Sequence, residues 1–290
     1  MNILKISLLS DCKKAIWNSA INQFLVIGSH DIWRLNPKDK NLEKIFSSQC
    51  HIIDCVVNKK NNIYISLSSE TTLVGELEQD SMKLKHSISS TGKLKVDEFN
   101  LYIFMQDKLT LYNIENYNVV TKLKLGYIRD IDVGTRQNSA FLVTDDGYIH
   151  VLDRDSRKIT QIVKFPIEFV PTSVACHTTI GIVAVAGTTE IPIYNFSKKT
   201  FDKYLKVETA IHGRTVRSQV TGLKFIEERK RLFGGGVQGL WMWETTNLEL
   251  LAHWVFPKEA FVSFDIDEKS NYFLGITYNS IIFAEISTMD

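Results

Sequence analysis

The residues of this 290-residue chain that could do chemistry are seven histidines, a scatter of aspartates and one basic loop. His30, His51, His86, His150, His177, His212 and His253 form neither HExxH nor an i, i+2 pair. Zinc needs three or four convergent ligands, so structural or surface histidines are expected. Asp54, Asp130, Asp132, Asp265 and Asp267 are the carboxylates that would have to converge to hold a catalytic metal. Asp145 and Asp146 precede Gly147, and Asp-Gly is a hairpin signal that accounts for both acids. No GxSxG nucleophile motif occurs. The glycine run Gly234-Gly235-Gly236 lacks the Lys-Ser/Thr ending and the following helix of a phosphate loop, and reads as tight packing beside a turn. The mixed run Glu227-Glu228-Arg229-Lys230-Arg231 has nearly cancelling charges and reads as a solvated loop. No catalytic residue, bound metal or cofactor is expected from these patterns. The basic loop is left: residues 208–219, ETAIHGRTVRSQ, hold His212, Arg214 and Arg217 with Glu208 as the one nearby acid. That chemistry suits an acidic peptide or a phosphate group.

Such groups act only where a scaffold places them, and here the scaffold shows as a repeat. The pattern apolar-x-apolar-(aromatic or Leu)-(Asp, Asn or Glu) occurs seven times, ending at Asn36, Glu76, Asn113, Asp153, Asn195, Glu244 and Glu285. The steps between these residues are 40, 37, 40, 42, 49 and 41. A four-stranded propeller blade takes about 40–45 residues. Before each pattern lies an apolar run, such as Phe24-Leu25-Val26-Ile27 or Ile182-Val183-Ala184-Val185, of the kind buried on both faces. Upstream again is an alternating strand, as in 128–133, and polar turn residues follow the pattern, as in Asn113 to Asn116. Helix-period segments are scarce. The expected fold is all-β: a seven-bladed β-propeller of four-stranded antiparallel blades, strands a to d from the axis outward, forming one domain over 1–290. The segment 1–9 has no blade of its own, and only 286–290 follow the seventh c strand. Residues 1–9 are therefore expected to supply the d strand of blade seven and close the ring.

Composition bounds the rest. With 44% apolar residues the chain can bury a large core. Lys plus Arg is 34 against 33 acidic residues, which argues against nucleic acid as a direct ligand. Cys12, Cys50, Cys55 and Cys176 form no CxxC pair and read as reduced thiols. The start, MNILKISLLS, is interrupted by Lys5 and too short for a signal peptide or a membrane span. An intracellular protein, cytoplasmic or nuclear, is expected.

At the c-strand ends stand Tyr112-Asn113, Leu152-Asp153, Tyr194-Asn195 and Trp243-Glu244. Through these dipeptides and the period, the chain resembles the WD-repeat propeller family along essentially its whole length. No unit has a literal Trp-Asp, and the Gly-His that opens a family repeat is missing, so blade bracing is expected mainly from apolar packing. The resemblance implies a non-catalytic scaffold that binds other proteins as a subunit of a larger complex, and is not a homo-oligomer. The alternative it leaves is a propeller enzyme, or a phosphoinositide- or phosphate-binding propeller using the channel mouth or the basic loop. The Phe-Arg-Arg-Gly of phosphoinositide binders is not present.

A partner is expected on the face formed by the d–a and b–c loops. The 49-residue step puts extra chain at 208–219, so His212, Arg214 and Arg217 are the first candidates, because loops on a rigid scaffold carry function. Tyr127, Arg129, Phe169, Lys258 and Phe261 are expected on the same face. Trp241 and Trp243 fall on one side of their strand and are expected between blades. Trp254 lies in the outer strand of blade six.

Overall fold

The computed structural model of the chain describes residues 2–7, 11–78, 81–134, 138–165, 169–211, 214–269 and 271–286. Runs rich in Val, Ile and aromatics favour the pleated strand, and strands are what form. Apart from one 3₁₀ turn at Glu227–Arg229, every described element is a β-strand. β1 (Asn2–Ser7) comes first, then five four-stranded antiparallel sheets in which strand order follows chain order. The first is β2 (Lys14–Asn18), β3 (Gln23–Ile27), β4 (Asp31–Leu35) and β5 (Leu42–Ser47). The second is β6 (Ile52–Val57), β7 (Asn62–Leu67), β8 (Thr71–Leu77) and β9 (Met82–Ile88). The third is β10 (Lys93–Val96), β11 (Asn100–Met105), β12 (Lys108–Asn113) and β13 (Val119–Lys124). The fourth is β14 (Ile128–Val133), β15 (Ser139–Thr144), β16 (Tyr148–Asp153) and β17 (Lys158–Lys164). The fifth is β18 (Ser173–His177), β19 (Ile182–Ala186), β20 (Glu190–Asn195) and β21 (Thr200–Lys206). A separate hairpin pairs β22 (Glu208–Ile211) with β23 (Arg214–Arg217).

β24 (Val220–Ile226), β25 (Arg231–Glu244), β26 (Leu250–Ile266), β27 (Tyr272–Thr277) and β28 (Ser280–Glu285) share one sheet with β1, in the order β1-β28-β27-β26-β25-β24. This corrects the expected count. The blades are six, not seven, because the last two repeats run together in this sheet. β25 is continuous through Gly236, Val237, Gln238 and Gly239, where a loop between two strands was expected. Its residues 231–236 pair with β24 and 237–243 with β26, and the direction changes at Gln238, which has φ 64°. β26 likewise runs on through Lys258, at φ 67°. β1 pairs antiparallel with β28 from Asn2↔Glu285 to Ser7↔Ser280, at the sheet edge expected for it. Residues 1, 8 and 9 of that segment lie outside the described residues.

The recurring Asn, Asp or Glu of the repeat has a local cause. Asn36, Asn113, Asp153, Asn195 and Glu244 each accept backbone N–H bonds from residues two or three positions on, at 2.7–3.2 Å. Four residues after each of them the chain turns left-handed, at Lys40, Tyr117, Arg157, Lys199 and Leu248, with φ between 56° and 60°. Five c–d turns thus share one geometry, set by a side chain that mimics a backbone acceptor. Around Asp153 the Ser156 donors hold the carboxyl below its ordinary range.

The chain divides into two compact units, Met1–Lys124 with Ser263–Asp290, and Leu125–Val262. In the first, Phe24, Val26, Trp33 and Leu35 pack with Leu274, Ile276, Ile281 and Phe283, while Tyr64 and Val74 pack with Leu101, Ile103 and Tyr112. In the second, Phe141, Val143 and Ile149 meet Val174, Val183 and Tyr194, and Ile191, Ile193 and Leu232 enclose Trp241 and Trp243. Both tryptophans are buried, as their shared strand face required.

Candidate partner-binding surface

The five aspartates that might have gathered a metal are engaged elsewhere. The inner strand of a blade has one edge with no strand partner, and buried N–H groups there need an acceptor. Asp54 Oδ2 accepts from Leu94 N at 2.8 Å, while its Oδ1 accepts from Lys14 Nζ at 2.7 Å. Asp130 Oδ2 takes Val174 N at 2.9 Å, and Asp132 Oδ2 takes Cys176 N at 2.8 Å. Asp265 Oδ2 takes Trp17 N at 2.6 Å, and Ser263 Oγ takes Ala15 N at 3.2 Å. Each carboxylate latches its own inner strand to that of the next blade. Asp267 instead caps a turn, accepting from Asn271 N and Tyr272 N, both at 2.7 Å. Among the described residues no three of His, Cys, Asp and Glu stand close enough to hold a metal ion.

Glu227 departs from the solvated loop expected for its charge run. Its carboxylate accepts from Thr178 N and Thr178 Oγ1, both at 2.9 Å, with His177 Nδ1 at 4.0 Å. The glycine run is a packing device. A Cβ on Gly236 would stand 2.0 Å from Gln219 O, and one on Gly234 would meet the Trp243 ring at 3.0 Å.

The basic loop folds as the β22–β23 hairpin. Its register runs from Glu208↔Arg217 to Ile211↔Arg214. Its root is fixed: Ser218 N donates to Val207 O at 2.9 Å, Val207 N to Thr189 O at 3.1 Å, and Trp241 Nε1 to Glu208 O at 3.3 Å. Val207 and Ser218 are buried, whereas Glu208, Thr215, Val216 and Arg217 are exposed. The backbone of Arg214 pairs in β23, and His212 lies outside the described residues.

The other candidates line up through successive loops of the same unit. Tyr127 is exposed, with the Arg129 guanidinium 4.6 Å from its ring centre. Arg129 also pairs with Asp145 at 3.6 Å, and Asp145 N donates to Tyr127 O at 3.0 Å. In the next link Phe165 N donates to Gly147 O, and Phe165 stacks on half-buried Phe169 at 4.9 Å. Phe169 and Val170 crowd Gly187, whose φ of 139° admits the approach. Gln219 Nε2 donates to Gly187 O, Val237 N donates to Gln219 O, and Val237 pairs with Ala260 beside exposed Lys258. Phe261 does not belong on this surface. It is 2% exposed and packs edge-on against Phe256 at 5.1 Å, as core. The sequence reading missed exposed Val170, Val216 and Val237, each next to a residue it named or to the glycine run. They give the strip an apolar floor with Arg217 and Lys258 along it.

No family model and no curated protein matches the chain. Solved structures do. One chain of the "Crystal Structure of Mitotic Checkpoint Complex" superposes with a TM-score of 0.80 at 12% identity, over 99% of this chain and 94% of that one. The "Structure of U3-55K" gives 0.81 at 9% identity, over 98% of each. At such identities the likeness shows the fold alone. That fold is a β-propeller, built from four-stranded antiparallel blades. Among the described residues no helix is long and apolar enough to cross a membrane.

Proposed function

We propose that the chain is a non-catalytic protein-interaction scaffold, one propeller domain within a larger intracellular complex. It grips an extended, acidic segment of a partner along the loop strip of residues 125–262. The observation that carries this is the continuity of the strip. Tyr127, Val170, Arg217, Val237 and Lys258 are exposed, and the loops that bear them are tied together by backbone hydrogen bonds and packing. An exposed apolar patch rimmed by polar residues marks a protein contact site. Arginine and tyrosine are enriched among the residues that dominate binding energy. One structural neighbour is itself, by its title, part of an assembly. None of the four cysteines is in a disulfide, which suits a reducing compartment, either cytoplasm or nucleus.

A phosphate-binding reading would draw on the same cations. It is weaker because Arg129 is engaged by Asp145 and the Tyr127 ring. The test is affinity capture with wild type and the double variant Arg214→Glu, Arg217→Glu. Loss of the stoichiometric partners is expected, with the thermal midpoint unchanged. Capture of every partner at wild-type levels would defeat the site assignment. Vesicles containing phosphoinositides serve as the competing arm, and charge-dependent binding to them would favour the phosphate reading.

A further inference from the structure

In the unit formed by Met1–Lys124 with Ser263–Asp290, the first blade carries a small polar pocket of about 110 Å³. Strand alternation creates it. Leu25 in β3 opposes Arg34 in β4, and Arg34 opposes Glu43 in β5, so the three share one face of the blade. Gln23, two residues before Leu25, and Asn36, two after Arg34, extend that face to the c–d turn, where Asp39 and Asn41 complete the lining. None of the lining residues is apolar. Arg34 Nη2 donates to Glu43 Oε2 at 2.6 Å. Asn41 N donates to Asp39 Oδ1, and Asn36 Nδ2 to Asp39 Oδ2, both at 3.0 Å. One atom of the wall stands apart: Gln23 Oε1 is buried and accepts no hydrogen bond. Buried acceptors are satisfied almost without exception, so an orphan on a pocket wall calls for a donor from outside the chain.

We infer that this pocket takes the guanidinium head of an arginine residue carried by a partner polypeptide. Charge selects a cation: Asp39 and Glu43 against Arg34 leave the wall one net negative charge. A carboxylate oxygen accepts more than one hydrogen bond, so both acids keep room for a donor beside those they hold. Shape selects the guanidinium. Its planar fork of five N–H groups suits acceptors spread over one blade face, whereas an ammonium offers three donors around a point. Size keeps the rest of the residue outside. Cavities of about 150 Å³ hold a benzene ring, so this smaller one has room for a head group and none for backbone. Bound there, the guanidinium donates to Gln23 Oε1 and shares Glu43 with Arg34. No residue of the loop strip takes part, so this contact and the acidic-segment contact fail separately.

The experiment is a saturation-transfer NMR titration of the full chain with Nα-acetyl-arginine amide. Saturable binding is expected, about tenfold or more tighter than for the lysine or citrulline counterpart, which lack the fork or the charge. Gln23→Leu should weaken binding of the arginine derivative by about tenfold or more, the worth of a hydrogen bond to a charged group. It deletes an acceptor that the fold does not use, so the thermal midpoint should hold. Asp39→Asn keeps Oδ1 for Asn41 N, and should lower the affinity and flatten its dependence on salt. Free L-arginine, whose backbone stays outside the pocket, should bind no more tightly than the capped residue. Unchanged arginine affinity in either variant, or a lysine or citrulline derivative bound equally well, overturns the site. Tighter binding of free L-arginine overturns the polypeptide partner.

Discussion

Replacing Asp54 with alanine tests the claim that the inner-strand carboxylates are latches. The side chain holds Leu94 N at 2.8 Å, and Leu94 is buried, so its amide finds no other acceptor when the carboxylate goes. Leaving a buried donor unsatisfied costs about 1–3 kcal/mol. The ion pair with Lys14 is also lost; with side chains 32% and 11% exposed, it adds roughly 0.5–1 kcal/mol. The sum is about 2–4 kcal/mol, and at this chain length that lowers the thermal midpoint by roughly 4–8 °C. Circular dichroism melts of Asp54→Ala, Asp54→Asn and Lys14→Met separate the parts. Asparagine keeps a neutral acceptor and should recover more than half of the loss, while Lys14→Met should cost no more than about 1 kcal/mol. If Asp54→Ala melts within about a degree of wild type, the latch carries nothing. If Lys14→Met costs as much as Asp54→Ala, the ion pair and not the Leu94 amide is what matters.

Two further predictions concern pH and the first strand. Burial holds the His150 imidazole below its ordinary value of 6.5, with Thr144 Oγ1 3.1 Å from Nε2, and His253 is lowered by burial as well. Below that value the unfolded chain takes up protons that the folded one resists. Stability is therefore full above about pH 6.5 and falls as the pH drops, by at most roughly 1.4 kcal/mol per unit for each group. Urea midpoints should decline from about pH 7 to pH 5, and His150→Gln should flatten the decline; an unchanged slope would remove His150 as a cause. Deleting residues 2–7 strips the partner from β28, whose Ile281, Ile282 and Phe283 are buried, and should give a less stable, aggregating protein. Light scattering equal to that of the full chain would contradict this.

Much of this architecture was legible because one stretch carried two signals at once. In Leu109-Thr110-Leu111-Tyr112-Asn113 the alternating apolar residues specify a strand and the asparagine specifies the turn after it, and β12 ends at Asn113 as read. The count failed where those signals were compressed. Gly236 and Gly239 leave only two residues for a reversal, so β25 has no visible break. The aspartates misled for a different reason. A carboxylate on an alternating strand looks alike whether it faces a metal or a backbone amide, and the amide at Leu94 is 40 residues away. At the candidate surface, loop position was readable and side-chain direction was not. Tyr127 and Lys258 are exposed, whereas Phe261, three residues past the left-handed Lys258, turns inward.

The latches have a direction, and that gives the chain a history during synthesis. Asp54 and Asp132 lie upstream of the amides they satisfy at Leu94 and Cys176, so each acceptor already exists when its partner strand leaves the ribosome. The first blade is the exception. Ala15 N and Trp17 N wait for Ser263 and Asp265, which are made 248 residues later, and β1 waits for β28. The earliest-made strands of the propeller are thus the last to be completed, and until then these open strands are the ones most in need of a chaperone.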